Sequence, residues 1–273
     1  MPLKGIELKN LDGLMPPRGR MKKKEFPFYF AEGKKLLHIV ARIPDEPGSL
    51  GKVLNLLGSR VNFIGTSTYT LHDRSALFSG YAEALAKGES AEQIKNLVMS
   101  SKVAMDVSVM PGQDGILVDT YHTGFEANGE DMMLLGREAM AGMLAQVYRL
   151  LGSGGETLLY EEGKAIGRSN MEEAVRAIGK ERVGANIAYL RKRLRALGWG
   201  DVDAPVKGDR TRLHIRDCFE CSGSADSRTG CHFFRGYIVG NRGAIDGKDP
   251  AAEEVKCVLR GDDVCEFVIT PSR

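Results

Sequence analysis

The chain has 273 residues, 42% of them hydrophobic and 27% charged, with a formal net charge of +2. That balance fits a folded globular protein of about two ordinary domains and excludes disorder throughout. The small net charge selects no nucleic-acid or acidic partner, no apolar run reaches the roughly 18 residues of a membrane span, and no charged-then-apolar leader marks secretion, so a cytoplasmic location is expected.

Residues 1–30 read as a leader, with Pro2, Pro16, Pro17 and Pro27 and the basic run Arg18-Gly-Arg20-Met-Lys22-Lys23-Lys24. Aromatic residues near Phe26–Phe30 suit a short strand. From Leu36 to Ile43 the pattern is that of a strand, and Pro44-Asp45-Glu46-Pro47-Gly48 is a turn. Ser49 is placed to cap a helix carrying Leu50, Val53, Leu54 and Leu57 on one face. Val61–Tyr69 and Ser75–Ala82 read as strands, Ala91–Ser100 as an amphipathic helix, and Ala104–Met110 as a closing strand. The order βαββαβ predicts a ferredoxin-like domain over residues 31–112.

Pro111-Gly-Gln-Asp-Gly115 marks a boundary, and residues 113–273 are expected to form a second domain, giving an α/β (α+β) chain overall. A strand is expected at Ile116–Tyr121. Leu135–Leu151 has helical spacing and is closed by Gly152-Ser-Gly-Gly155. Leu158–Gly167 opens another segment, Met171–Ile178 looks helical, and Val183–Leu197 reads as one strong helix. Thr211–Phe219, Val255–Leu259 and Val264–Ile269 read as strands, while Cys231–Val239 fits either a helix or a strand.

All five cysteines fall between Cys218 and Cys265. In a cytosolic chain they read as thiols or metal ligands before disulfides. Val255–Leu259 and Val264–Ile269 flank a hairpin turn, Arg260-Gly-Asp-Asp263. Cys257 and Cys265 would then face each other at about 5 Å between β-carbons, close enough to share one tetrahedral zinc. Glu254 lies three residues before Cys257, the wrong parity for a regular strand, so a bulge is needed to turn its carboxylate inward. Cys231 would arrive from elsewhere in the fold. Three thiolates and one carboxylate leave no open position, which makes the expected zinc structural. Buried free cysteines, or a Cys257–Cys265 disulfide, are the alternatives. Cys218-Phe-Glu-Cys221 has a spacing common to metal and redox sites.

The run Gly230-Cys231-His-Phe-Phe-Arg-Gly236, with Glu254-Val-Lys-Cys257 and Gly261-Asp-Asp-Val-Cys265-Glu-Phe267, resembles the 4-vinyl reductase-like domain. That domain occurs in a bacteriochlorophyll-synthesis protein and in the sensor region of phenol-responsive transcriptional activators. The resemblance covers roughly residues 130–273 and implies zinc on Cys231, Glu254, Cys257 and Cys265. It also implies a pocket for a small hydrophobic molecule. The sensors grip phenol through a His and a Trp. Trp199 does not match that position clearly, and Cys218, Cys221, His214 and His232 are ligand-binding candidates by chemistry alone.

Leu36–Val109, with Pro44–Leu50 and Val61-Asn62-Phe63-Ile64, resembles an ACT domain. This implies an amino-acid site or a dimer surface around Asp45, Glu46, Gly48, Ser49 and Asn62, where N–H groups at a helix start suit a carboxylate. The expected function is a small-molecule-sensing regulatory protein acting as a homodimer. The alternatives are a 4-vinyl reductase-type enzyme or a carrier of a hydrophobic cofactor. Against catalysis, the chain has no nucleotide fingerprint, and Asp119 with His122 is its nearest approach to an acid–base pair. No helix-turn-helix or other nucleic-acid motif is present.

Overall fold

The computed structural model describes Lys23 and residues 27–272, apart from 86–88, 128, 185–186, 205, 208–209 and 223–229. The basic run at 18–24 lies outside the described residues except for Lys23. The chain divides into two compact units, Met1–Met132 and Met133–Arg273.

The first unit runs β1 (Phe28–Phe30), β2 (Leu36–Pro44), α1 (Ser49–Leu57), β3 (Val61–Thr70), β4 (Ser75–Ala84), α2 (Ala91–Ser100), β5 (Asp106–Pro111), β6 (Ile116–Val118), β7 (Phe125–Ala127) and β8 (Glu130–Met132). Its main sheet has the antiparallel order β3-β4-β2-β5, the ferredoxin-like arrangement. Side chains alternate across β2. Leu37, Ile39, Ala41 and Ile43 enter the core with Val53 and Leu57 of α1 and Ile94 and Val98 of α2. Ser90 starts α2 with a complete capping box to Gln93. Leu36 faces the other way and packs with Tyr81, Leu117 and Tyr29. That second face is covered by β1 paired with β6. The pairing holds residues 116–118 in the first unit, so the division falls after the boundary expected at residue 113. Ser49 is the first residue of α1 and not its cap. Gly48, at φ 89°, takes the cap position without a side-chain bond.

The second unit runs α3 (Arg137–Leu151), α4 (Ser153–Ile178), α5 (Lys180–Gly184), α6 (Ile187–Ala196), β9 (Asp201–Asp203), β10 (Val206–Lys207), β11 (Arg210–Arg216), α7 (His232–Asp246), β12 (Ala251–Lys256) and β13 (Cys265–Thr270). Its antiparallel sheet has the order β10-β11-β13-β12, with β9 also on β11. Gly152, at φ 54°, turns the chain between α3 and α4. Ser153–Gly155 start the next helix instead of forming a loop. α4 is continuous through Gly163 and Gly167, where the sequence suggests two pieces. The expected single helix at 183–197 is α5 and α6. The ambiguous apolar run after Cys231 is helical.

α4 and α7 meet backbone to backbone. A β-carbon added at Gly163 or Gly167 would lie 2.0 or 2.2 Å from the carbonyl oxygen of Phe233 or Tyr237. One added at Gly236 or Gly240 would lie 1.9 Å from that of Tyr160 or Lys164. Two Gly-x-x-x-Gly faces therefore interlock, and only glycine fits at these four positions. This contact seats α7, which carries the start of the thiol site, against the core of Leu159, Phe234, Tyr237 and Phe267.

Candidate metal centre

The five cysteines converge at one end of the second unit, and all are free thiols. Cys265 opens β13, and Cys257 follows β12. The register between these strands shifts between Glu254 and Lys256, leaving Val255 as an extra residue. This is the bulge that an inward-facing Glu254 requires. A 3₁₀ turn, Val258–Arg260, then carries the chain back toward Cys265. Cys231 is the N-cap residue of α7. Cys218 and Cys221 bracket a 3₁₀ turn, Phe219–Cys221, after β11.

The thiols of Cys221, Cys231, Cys257 and Cys265 form a compact tetrahedron. Cys221 Sγ lies 3.1, 3.9 and 3.4 Å from the sulfurs of Cys231, Cys257 and Cys265. Cys231 is 3.8 Å from both Cys257 and Cys265, which are 4.0 Å apart. An ion bound at a Zn–S distance of about 2.3 Å sets its four sulfurs about 3.8 Å apart. A disulfide needs about 2.05 Å, so the Cys257–Cys265 pairing is not formed. Cys218 Sγ stands one step out, 3.9 Å from Cys231.

Hydrogen bonding among thiols this close redistributes their protons. Bonds from Cys221 and Cys231 draw the Cys257 thiol down to about 7. Cys265 is lowered by its bonds with Cys218 and the other cluster thiols. Cys221 and Cys231 are pushed up. Part of the cluster is thus disposed to ionise even without a cation.

Two carboxylates brace the site. Glu254 Oε2 accepts the Cys231 N–H at 2.7 Å. Its Oε1 is buried without a hydrogen-bond partner among the described residues. Burial, with the Cys257 and Cys265 charges adding to it, raises its pKa to about 8. Cys231, Glu254, Cys257 and Cys265 each present one donor atom within 4.8 Å of the others, as do Cys218, Cys221, Cys231 and Cys265. The residues therefore suit a thiophilic cation, with sulfur in excess and one oxygen unsatisfied.

Glu220, between the two cysteines of the Cys-x-x-Cys run, is the residue sequence reasoning passes over. It is fully buried. Its carboxylate accepts the Tyr148 hydroxyl at 2.6 Å and the N–H groups of Phe233 and Phe234 at 3.1 and 2.8 Å. The His232 N–H donates to Tyr148 Oη at 3.2 Å. The exposed donors at the start of α7 are thereby met from other elements, and a carboxylate sits at the positive end of the helix. Burial raises Glu220 to about 7 against those bonds. The same contacts fix Cys218 and Cys221 against Cys231.

Among the other candidates, His232 borders a polar cleft of about 110 Å³ with Cys231, Arg235, Glu253, Glu254 and Arg260. His214 pairs with Glu266 across β11 and β13, while its neighbours Leu213 and Ile215 enter the core, so it faces away from the thiols. Trp199 packs on Phe219, Phe233 and Tyr237 at ring distances of 5.2, 6.1 and 4.8 Å, inside the core cluster that contains the cysteines. In the first unit Asp45, Glu46, Gly48 and Asn62 are exposed and Ser49 is buried, with the Ser49 N–H bonded to the Glu46 carbonyl at 3.2 Å.

Residues 211–271 match the family model of the vinyl-4-reductase domain, and this part of the chain is such a domain. An uncharacterized protein of Methanocaldococcus jannaschii is 30% identical over 119 residues. The match covers 43% of this chain and 66% of that protein, just under two thirds of its length. Among solved structures, the phenol-responsive sensory domain of the transcription activator PoxR with phenol aligns at a TM-score of 0.41 and 17% identity, over 52% of this chain and 78% of that one. A vinyl-4-reductase family protein from Methanocaldococcus jannaschii aligns at a TM-score of 0.38 and 18% identity, over 52% and 85%. A trafficking protein particle complex subunit 3 from Naegleria fowleri, covalently bound to palmitic acid, aligns at 0.39 and 14%, over 50% and 95%.

Proposed function

We propose that this chain is a small-molecule-responsive regulatory protein whose second unit is held by one zinc ion. The observation that carries the reading is the thiol tetrahedron inside the vinyl-4-reductase domain. Cys231, Cys257 and Cys265 hold three corners and Cys221 the fourth, with Glu254 receiving the Cys231 N–H. When bound, the ion supplies cross-linking of the strand and helix ends, and a closed set of protein ligands supplies no activated water. The site is then structural, and function passes to the surface beside it.

That surface combines the aromatic cluster around Trp199 with the polar cleft at His232, Arg235 and Arg260. It suits a small molecule with an apolar body and one polar group. The 4-vinyl reductase-like resemblance of the sequence implies a ligand of the same kind. In the first unit the ACT-like arrangement supports a dimerisation or amino-acid-binding role. Residues 66–70 of β3, an exposed outer strand, offer an edge for a second copy. No described helix is long and apolar enough to cross a membrane.

Trp199 is the sole tryptophan, so its fluorescence reports on this cluster directly. Titration of the zinc-loaded full chain with simple phenols is expected to change that emission saturably, and native mass spectrometry is expected to retain the added mass. An emission unaffected by phenols, aliphatic acids and amino acids alike would overturn the sensor reading. Turnover of a vinyl-bearing tetrapyrrole with an added reductant would replace it with the reductase.

A further inference from the structure

We propose a second metal site in the first unit, formed by His38, Asp119 and His122, for a divalent transition metal such as Zn²⁺, Fe²⁺ or Co²⁺. It lies on the sheet face away from α1 and α2. His38 stands near the start of β2 between Leu37 and Ile39, whose side chains enter the helix-facing core, so alternation sends its ring to the opposite face. Asp119 and His122 follow β6, which is tied to that face through β1. The fold thus brings two histidines and a carboxylate together from distant parts of the chain. One ligand atom from each lies within 4.8 Å of the other two.

The arrangement has the marks of a built site. The His38 side chain is completely buried, and its ring is stacked on Tyr81 at 4.3 Å and 6°. Its Nε2 is held by Ser79 Oγ at 2.8 Å, which turns Nδ1 toward Asp119 Oδ1, 3.6 Å away. That is too long for a hydrogen bond but suits two atoms sharing one ion. Asp119 is oriented by the Tyr81 hydroxyl at 2.7 Å and by the N–H groups of Tyr121 and His122, both at 2.9 Å. His122 Nδ1 lies 2.8 Å from Asp119 Oδ2.

Two nitrogens are left over. His38 Nδ1 and His122 Nε2 are both buried with no hydrogen-bond partner among the described residues. A purely structural network would satisfy such atoms, because an unpaired buried polar atom costs about 1–3 kcal/mol. Two imidazoles and one carboxylate form the facial donor set of open transition-metal sites, and Ser79 and Tyr81 already supply the outer partners that orient the ligands. Three protein ligands leave coordination positions free, unlike the closed thiol site. Tyr69 and Tyr121, both exposed, flank His122 and mark the side from which a water or an oxygen-donor ligand would enter.

The test uses the full chain stripped with a chelator and titrated with Zn²⁺ alone, read by native mass spectrometry and by competition with a chromogenic chelator. Wild type is expected to take two ions. His122→Ala is expected to weaken one of them at least ~100-fold, beyond the 10–100-fold typical of losing an outer-shell partner. Ser79→Ala is expected to weaken the same ion about tenfold. His122 is partly exposed, so its variant keeps the fold even if one at His38 does not. A Cys257→Ser, Cys265→Ser double variant loses the other ion and retains this one, which separates the present proposal from the thiol reading. Equal zinc binding by wild type and His122→Ala, or no ion in wild type beyond the cysteine-dependent one, would overturn it.

Discussion

Replacing Gly240 by alanine puts one methyl group where α4 and α7 touch. The new β-carbon would stand 1.9 Å from the Lys164 carbonyl oxygen, about 1.5 Å inside ordinary contact. The obstacle is helix backbone, not the end of a flexible side chain, so the helices must separate. Overpacking of a tight core costs about 1–3 kcal/mol, and an immovable obstacle belongs at the top of that range. Alanine recovers about 1 kcal/mol of helix propensity. The net loss is therefore about 2 kcal/mol, or roughly 4–8 °C in Tm for a domain of this size. Gly142→Ala is the control. It lies within α3 with nothing within 4 Å of the added carbon, so it gains the propensity without the clash. Thermal unfolding by circular dichroism should show Gly240→Ala falling while Gly142→Ala holds or rises. Cys231 caps the same helix, so Gly240→Ala should also weaken zinc binding. Equal Tm values for the two variants would refute the close crossing.

Glu220→Ala removes the acceptor for the Tyr148 hydroxyl and two buried N–H groups, and should cost about 3 kcal/mol or more, whereas Glu220→Gln keeps an acceptor and should cost clearly less; chemical unfolding compares them. Cys221→Ser should weaken zinc binding more than Glu254→Gln in competition with a chromogenic chelator, and the reverse order would return the fourth corner to Glu254. Stripping zinc from the full chain should lower the Tm of the second unit and quench or shift Trp199 emission, because a structural ion contributes folding energy. Identical melting curves with and without chelator would contradict that role.

The first unit is legible in the sequence because its signals are local. Leu37, Ile39, Ala41 and Ile43 alternate, α1 and α2 carry clean apolar faces, and the turns hold Pro and Gly. Its second face is not legible, since β1 and β6 are three-residue strands whose pairing spans most of the unit. In the second unit the hairpin and the need for a bulge at Glu254 follow from parity. Cys221 reads only as a spare thiol, because its place depends on Glu220 reaching the start of α7. A buried glutamate between two cysteines has no period to betray it, though a carboxylate flanked by Phe219 and Cys221 is a usable sign. α4 reads as two pieces because Gly163 and Gly167 lower helix propensity, while the compensating contact lies on another helix far along the chain. His38 gives no signal of its own, because one histidine in an apolar strand reads as core until Asp119 and His122 are seen beside it.

Sulfur holding zinc in the second unit is the central claim, and X-ray absorption at the zinc edge tests it most directly. The measurement would use the full chain carrying Asp119→Asn, loaded with one equivalent of zinc so that the histidine site does not contribute. A first shell dominated by three to four sulfurs at about 2.3 Å is predicted. A shell of nitrogen and oxygen alone near 2.0–2.1 Å would contradict it.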